Sequence, residues 1–352
     1  MPASPVRSTT ARPTIATAAR KGLGRGPTRG LGATLVLAVA LAGCASGRAV
    51  MPSSSPSRAV HAGSPSASSS SAAGPSTGSA GADAPTAPDV SPDPIDPSTT
   101  LPPFVPPAQL TTVAAGLVLH VPVLMYHRII PPSMAGRSLP GLVVPPARFA
   151  AQMDALAGAG WHTITAAKLL SDLAGGIQPA PRTFVITFDD GYDDGYTYAL
   201  PILEAHGFVA TFYVIAGRIG DPPGPYEALT PQHVLALAQA GMEIGNHTFS
   251  HVDLATSSPL LRRYEVVSAS ARIQSLIGTA PTTLAYPYGR WNAAAVGQIR
   301  AAGIGMAFTT VEGAREVWAT RYASPRVRVS PSTTPAELLA LVRRFGGTSA
   351  GG

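Results

Sequence analysis

The sequence predicts an α/β fold, a parallel sheet whose strands are joined by helical crossovers. Two observations carry this reading: from about residue 117 onward short apolar runs alternate with segments of helical spacing, and strands separated by helices imply parallel neighbours. The first strand is Val121–Tyr126, and Pro146–Ala159 follows with Phe149, Met153 and Leu156 on one helical face before Gly160 ends it. Trp161–Ile164 reads as a short strand, Ala166–Leu173 as a helix, Thr183–Phe188 as a buried strand and Tyr196–Ala205 as a helix. Strand Val209–Ile215 precedes a helix with Thr230 as its cap and Pro231 at its first position, where a missing N–H costs nothing. Strand Met242–Gly245, a long amphipathic helix Pro259–Ile277, strand Thr283–Tyr286, helix Ala293–Ala302 and strand Ile304–Thr309 continue the series. A strand near Val327 and a helix Pro335–Arg344 close it. An open sheet and a closed barrel share this pattern.

Charge and composition divide the 352 residues differently. Residues 1–44 hold six basic residues (Arg7, Arg12, Arg20, Lys21, Arg25 and Arg29) and no acidic one, leaving 19 of each sign across the rest. The overall net charge of +6 therefore belongs to a leader and gives no argument for a nucleic-acid partner. Behind the basic stretch, Leu31–Ala42 is small and apolar and too short to span a bilayer comfortably. It ends in Leu41-Ala42-Gly43-Cys44, which resembles the bacterial lipoprotein signal with Cys44 as the lipidated first residue of the mature chain. Cys44 is the sole cysteine, so an intrachain disulfide is excluded; ordinary secretory cleavage nearby is the competing reading. Residues 45–116 read as a disordered tether. Ala45 to Pro103 is Ser, Ala, Pro and Gly with no aromatic residue, a composition that cannot offset its own ordering entropy. About 60 such residues reach roughly 40 Å as a coil. The expected architecture is a leader over 1–44, the tether, and a folded domain over 117–346.

Within that domain, Thr187-Phe188-Asp189-Asp190-Gly191 places two carboxylates at a strand end closed by a glycine turn. Adjacent side chains there diverge, so one can meet a metal while its neighbour stays free to move a proton. Later comes His247-Thr248-Phe249-Ser250-His251, whose four-residue spacing puts two imidazoles on one face of a helical turn. Each piece alone is a weak signal. In this order, with Pro287-Tyr288-Gly289 after Leu284-Ala285-Tyr286, they resemble the polysaccharide deacetylases, the NodB-homology or carbohydrate esterase family 4 group, over residues 182–330.

The resemblance implies a distorted seven-stranded (β/α) barrel with its site at the C-terminal ends of the strands. It implies one divalent metal on Asp190, His247 and His251, with zinc suited to one carboxylate and two imidazoles and cobalt, nickel or manganese as alternatives. Asp189 is then the base, and the backbone N–H of Tyr288 completes the oxyanion site. Hydrolysis of an N-acetyl group needs activated water, a stabilised oxyanion and an acid for the leaving amine. The chain departs from the family pattern twice. Ala285 stands where an arginine partner of the base is usual, and no histidine follows His251 to serve as the acid. His127, delivered by the strand Val121–Tyr126 to the same edge, resembles the acid histidine of the poly-N-acetylglucosamine deacetylases, where it precedes the Asp-Asp motif; a capping or core role competes. His120 sits at the wrong end of that strand, His61 lies in the tether, and His162, His206 and His233 read as surface or packing residues.

Weaker candidates accompany these. Arg326 could replace the missing arginine beside Asp189, or lie on the surface. Asp253 could orient a ligand histidine, or cap a turn. Asp193 and Asp194 read as caps of the following helix. Tyr192, Tyr286 and Trp291 could offer faces to sugar rings, or pack in the core. The expected function is N-deacetylation of an N-acetylglucosamine polymer outside the cell by a lipid-anchored monomer. A degenerate glycan-binding lipoprotein, an O-deacetylase of a wall polysaccharide and a small-molecule amide hydrolase are the competing readings.

Overall fold

A computed structural model describes residues 96, 98–135, 140–222 and 227–347. The leader, Cys44, His61 and the first part of the tether lie outside them. Seven parallel strands close a barrel: β2 (Val123–Tyr126), β4 (Thr183–Phe188), β5 (Thr211–Val214), β6 (Glu243–Asn246), β7 (Thr283–Ala285), β8 (Met306–Glu312) and β10 (Ser324–Arg328). Closure comes from β2, which pairs with β4 through Met125 and Thr187 on one side and with β10 through Leu124 and Val327 on the other. A short β3 (His162–Thr163) lies along the first half of β4. The chain also makes an antiparallel ribbon absent from the expected pattern, β1 (Val118–His120) with β9 (Arg315–Val317). The strand expected over Val121–Tyr126 therefore begins two residues late.

Side-chain alternation sorts the core. Val123, Val185, Tyr213, Ala285 and Phe308 point inward and meet Leu169, Leu170 and Leu173 of helix α2 (Ala166–Gly175), which closes the barrel floor. Their sequence neighbours Leu124, Phe184, Ile186, Phe212 and Ile244 point outward. There they pack under α1 (Pro146–Gly158), α3 (Leu200–Ala205), α4 (Pro231–Gln239), α5 (Pro259–Ile277) and α7 (Pro335–Phe345). Helix α6 (Ala293–Ala301) covers Leu284 and Ala307 through Ala295 and Ile299. Gly245 of β6 is needed where it stands, because a Cβ would collide with the inward Tyr213 ring. The helix starts follow the sequence signals: Thr165, Thr230, Ser258, Asn292 and Thr334 each accept a backbone N–H of the first turn, and Pro231 holds the first position of α4. No helix among the described residues is long and apolar enough to cross a membrane.

Three expectations change. Residues 104–114, assigned to the tether, lie against the barrel. Phe104 packs with the cluster under α6, the Gln109 amide donates to the Arg300 carbonyl at 2.9 Å, and Val113 N–H donates to Ala174 at 2.9 Å. The physical boundary is Phe104, the first residue of the segment with enough apolar surface to offset ordering. The helix expected over Tyr196–Ala205 begins as a π-helical turn, Gly195–Ala199. Helix α5 is not simply amphipathic. Its buried face includes Arg262, Glu265, Ser268 and Ser270, for a reason found at the site.

Candidate active site

Four strand ends deliver the chemistry to one mouth of the barrel. Asp189 and Asp190 follow β4, His127 follows β2, His247 follows β6, and the turn Pro287–Gly289 follows β7. Asp190 Oδ1 lies 3.3 Å from Nε2 of both His247 and His251, and the three ligand atoms fall within 4.8 Å of one another. Separations of 3.3 Å match the edge of a tetrahedron about an ion held at ~2.0–2.1 Å. The donor set fits a cation for a second reason. His247 Nδ1 donates to the Ala285 carbonyl at 2.7 Å, so its Nε2 turns a lone pair toward Asp190. Burial pushes the Asp190 carboxyl up, but the two imidazoles of His247 and His251 beside it outweigh burial and hold it well below the usual carboxylate range.

The backbone is strained to achieve this. Among the described residues five non-glycine positions have positive φ, and four of them (Asp190, Thr248, His251 and Tyr288) are at this mouth. The helical turn expected for His247 to His251 is absent; the segment is a loop, and Thr248 (φ 66°) and His251 (φ 68°) are left-handed. Helix α5 holds that loop, which explains its polar face. The buried Glu265 carboxylate accepts the N–H groups of Phe249 (2.9 Å) and Ser250 (2.7 Å) and the Ser250 hydroxyl (2.6 Å). Asn246 accepts Thr248 N–H at 2.7 Å while its amide donates to Ser270 and to the Val266 carbonyl. Glu265 and Asn246 were not singled out in the sequence. A carboxylate one helical face removed from a ligand loop carries no local signature.

Asp189 is 3% exposed and meets Arg326 in a two-pronged ion pair, Nη1–Oδ1 2.8 Å and Nη2–Oδ2 2.7 Å. Arg326, itself 1% exposed, is fixed by Thr309 and Thr187. Burial pushes the Asp189 carboxyl up, the guanidinium outweighs it, and the net direction is down. An arginine on β10 thus occupies the role left open by Ala285, whose carbonyl instead orients His247.

His127 lies in the field of Asp190 and Asp189, and burial lowers its imidazole below the ordinary value. Its neighbour Arg128 is tied to Asp194 at 2.9 Å, and Asp194 also accepts Ile129 N–H at 2.7 Å. Asp194 therefore anchors the loop behind His127 and makes no side-chain cap of the following turn, contrary to expectation. Asp193 accepts from Thr197 and meets His233 at 2.5 Å. His120 is exposed on β1, away from the mouth. His162 and His206 bond Thr183 and Asp154, as packing and surface residues do.

The remaining candidates separate cleanly. Asp253 accepts Ala255 N–H at 2.8 Å and meets Arg290 at 3.3 Å; it caps a turn and makes no bond to His251. The partner of His251 Nδ1 is the Tyr288 hydroxyl at 3.2 Å. Tyr286 is 1% exposed with its hydroxyl on the Tyr322 carbonyl, and Tyr192 is 6% exposed beneath Arg128, so neither offers a ring face to a sugar. Trp291, 44% exposed, can.

A closed parallel barrel with paired carboxylates and two imidazoles at its C-terminal mouth defines a barrel hydrolase. The polysaccharide deacetylase family matches residues 176–307. YxkH of Bacillus subtilis, assigned to the polysaccharide deacetylases, is 33% identical over 211 residues, 60% of this chain and 72% of that protein. The peptidoglycan-N-acetylmuramic acid deacetylase PdaA of Bacillus subtilis is 32% identical over 98 residues, 28% of this chain and 34% of its own. The structure of the deacetylase PplD of Streptococcus pyogenes, in complex with acetate, superposes with a TM-score of 0.58 at 28% identity, covering 63% of this chain and 97% of that one. The chain belongs to the polysaccharide deacetylase family and is a hydrolase of carbon–nitrogen bonds.

Proposed function

We propose that the protein removes N-acetyl groups from an N-acetylglucosamine-containing polymer outside the cell, releasing acetate and a free amine, with one divalent metal held by Asp190, His247 and His251. The observation that carries this reading is the pair of 3.3 Å approaches of Asp190 to the two imidazoles, beside a second carboxylate locked by Arg326. Zinc suits the donor set best, with cobalt, nickel or manganese as substitutes. When bound, the ion supplies a Lewis acid that polarises the acyl oxygen and acidifies water. The protein's own groups do the rest. Asp189 stays ionised at neutral pH and accepts a proton, with its orientation set by the two-pronged arginine. His127, held neutral at rest by its desolvated surroundings, takes up the proton that Asp189 removed from water and gives it to the leaving amine, so that acetate and a free amine depart and both groups return to their starting state. Tyr288 steadies His251 by its hydroxyl, and the turn it occupies carries the backbone N–H assigned to the oxyanion.

The export leader and the Cys44 anchor belong to the same proposal, with the polymer met on the outer face of the cytoplasmic membrane by a monomer. Cys44→Ala should release the protein from membranes or leave an unprocessed precursor. The central test is metal content and acetate release from poly-N-acetylglucosamine, peptidoglycan and chitin oligomers. A chelator should abolish release, and zinc should restore it. His247→Ala with His251→Ala should strip the metal and reduce acetate release to background while the circular dichroism spectrum stays unchanged. Full metal stoichiometry in that double variant would refute the ligand assignment.

A further inference from the structure

We propose that a groove beside the catalytic mouth binds a carboxylate-bearing stretch of glycan, so that the polymer acted on carries acidic sugars; this deepens the deacetylase reading above and rests on it. The groove lies between α6 and the chain from Val311 to Pro325 and measures about 870 Å³, within the range of ligand clefts. It starts at the mouth. Trp291 lines it three residues after Tyr288, and Thr310, packed so closely on Gly289 that no Cβ would fit there, leads into Val311 and Glu312 on the opposite wall.

Its lining combines apolar ring faces with unpaired cations. Trp291, 44% exposed, supplies a ring face suited to the C–H face of a pyranose, while Trp318 and the buried Tyr322 form the wall beneath the arginines. Arg300, Arg315 and Arg321 supply three guanidiniums against the single carboxylate of Glu312. No acid among the described residues forms an ion pair with any of the three. Arg321 stacks on Trp318 (3.8 Å) and Tyr322 (4.4 Å) and donates to the Trp318 carbonyl (2.7 Å) and the Tyr322 hydroxyl (3.1 Å), leaving its buried Nε without a partner, and Arg300 lies 5.7 Å over the same Tyr322. Like charges facing one groove from both walls repel one another, and a bound carboxylate offsets that repulsion. A neutral glycan would gain hydrogen bonds from the arginines but no charge compensation, and the cationic amine product would be disfavoured there. The charge balance therefore selects an acidic polymer over a neutral one.

The test uses the full-length protein and two tetrasaccharides of equal length, one alternating N-acetylglucosamine with N-acetylmuramic acid and the other neutral chitotetraose. Binding is read by fluorescence, since Trp291 and Trp318 are two of the chain's three tryptophans, and turnover by acetate. Two partly exposed charge contacts together give about a tenfold preference for the acidic tetrasaccharide at low salt, eroded as salt rises. Arg300→Gln with Arg315→Gln, both exposed and unpaired positions, should erase that preference. Equal binding of the two tetrasaccharides, or a preference that survives the double substitution, overturns the groove assignment. Acetate release without the binding preference refutes the groove and leaves the deacetylase reading intact. Preferential binding without acetate release from either compound does the reverse.

Discussion

The two ends of the barrel both hold carboxylates away from water, and they treat them in opposite ways. At the floor, Glu243 of β6 is satisfied by neutral donors: the hydroxyls of Thr211 (2.9 Å) and Thr283 (2.6 Å) and the N–H of Ala167 in the first turn of α2 (2.7 Å). Burial dominates there, and its carboxyl is pushed up. At the mouth, Asp189 is the more enclosed of the two, yet a full counter-charge from Arg326 holds it down. Neutral dipoles make burial tolerable without fixing the ionised form, whereas a paired guanidinium fixes it. The floor therefore serves cohesion, and the mouth keeps Asp189 ionised beside the Asp190, His247 and His251 cluster.

Substitutions at the mouth should weaken catalysis, and substitutions at the floor should not. The largest effect is expected for His127→Ala, a loss of about 10²–10⁴-fold in turnover with the metal retained, whereas His120→Ala should do little; near-normal acetate release by the His127 variant removes its role as acid. Arg326→Ala comes next. It leaves Asp189 buried without its counter-charge, a cost of about 3–5 kcal/mol that urea denaturation will register. Arg326→Lys keeps the charge but loses the fork and should recover only part of both stability and rate; full recovery would show that geometry is unimportant there. Glu265→Ala should weaken metal affinity by roughly 10–100-fold without unfolding the barrel, because its loss frees the loop between the two histidine ligands. A competition titration against a metal indicator measures it, and unchanged affinity would mean that the strained loop holds itself.

The smallest effect on rate belongs to the floor, where Glu243→Gln should change turnover by no more than about twofold, with the difference appearing in stability against pH instead. The folded state keeps Glu243 protonated above 4.5, its ordinary value, while the unfolded chain has released that proton. Stability therefore falls as pH rises from 4.5 through the raised folded value. Thermal melts of Glu243→Gln should lose that slope, and an unchanged slope would place it elsewhere. Glu316 contributes in the same sense. It is fully buried on β9, and burial outweighs the nearby Ser324 hydroxyl and pushes its carboxyl up to about 8.

Local chemistry in the sequence determined the alternation of strands and helices, the Thr230 cap with Pro231 at the first helical position, and the strand ends that carry Asp189, Asp190, His247 and Tyr288. Each depends on side-chain period, a missing N–H or a glycine turn within a few residues, so each is written where it acts. Tertiary structure alone decided what those residues meet. Arg326 reaches Asp189 across 137 positions of sequence, and barrel closure through the pairing of β2 with β10 is what brings them together. Trp291 and Tyr286 looked alike as aromatic neighbours of one motif, and only packing left one exposed and buried the other. The two histidines four residues apart predicted a helical turn, yet Glu265 of α5 supplies the hydrogen bonds that hold a left-handed loop instead. Spacing along the chain fixes which groups can share a face when the local structure is regular. Where backbone strain is held by a distant side chain, the compensating energy comes from the fold, and no local pattern records it.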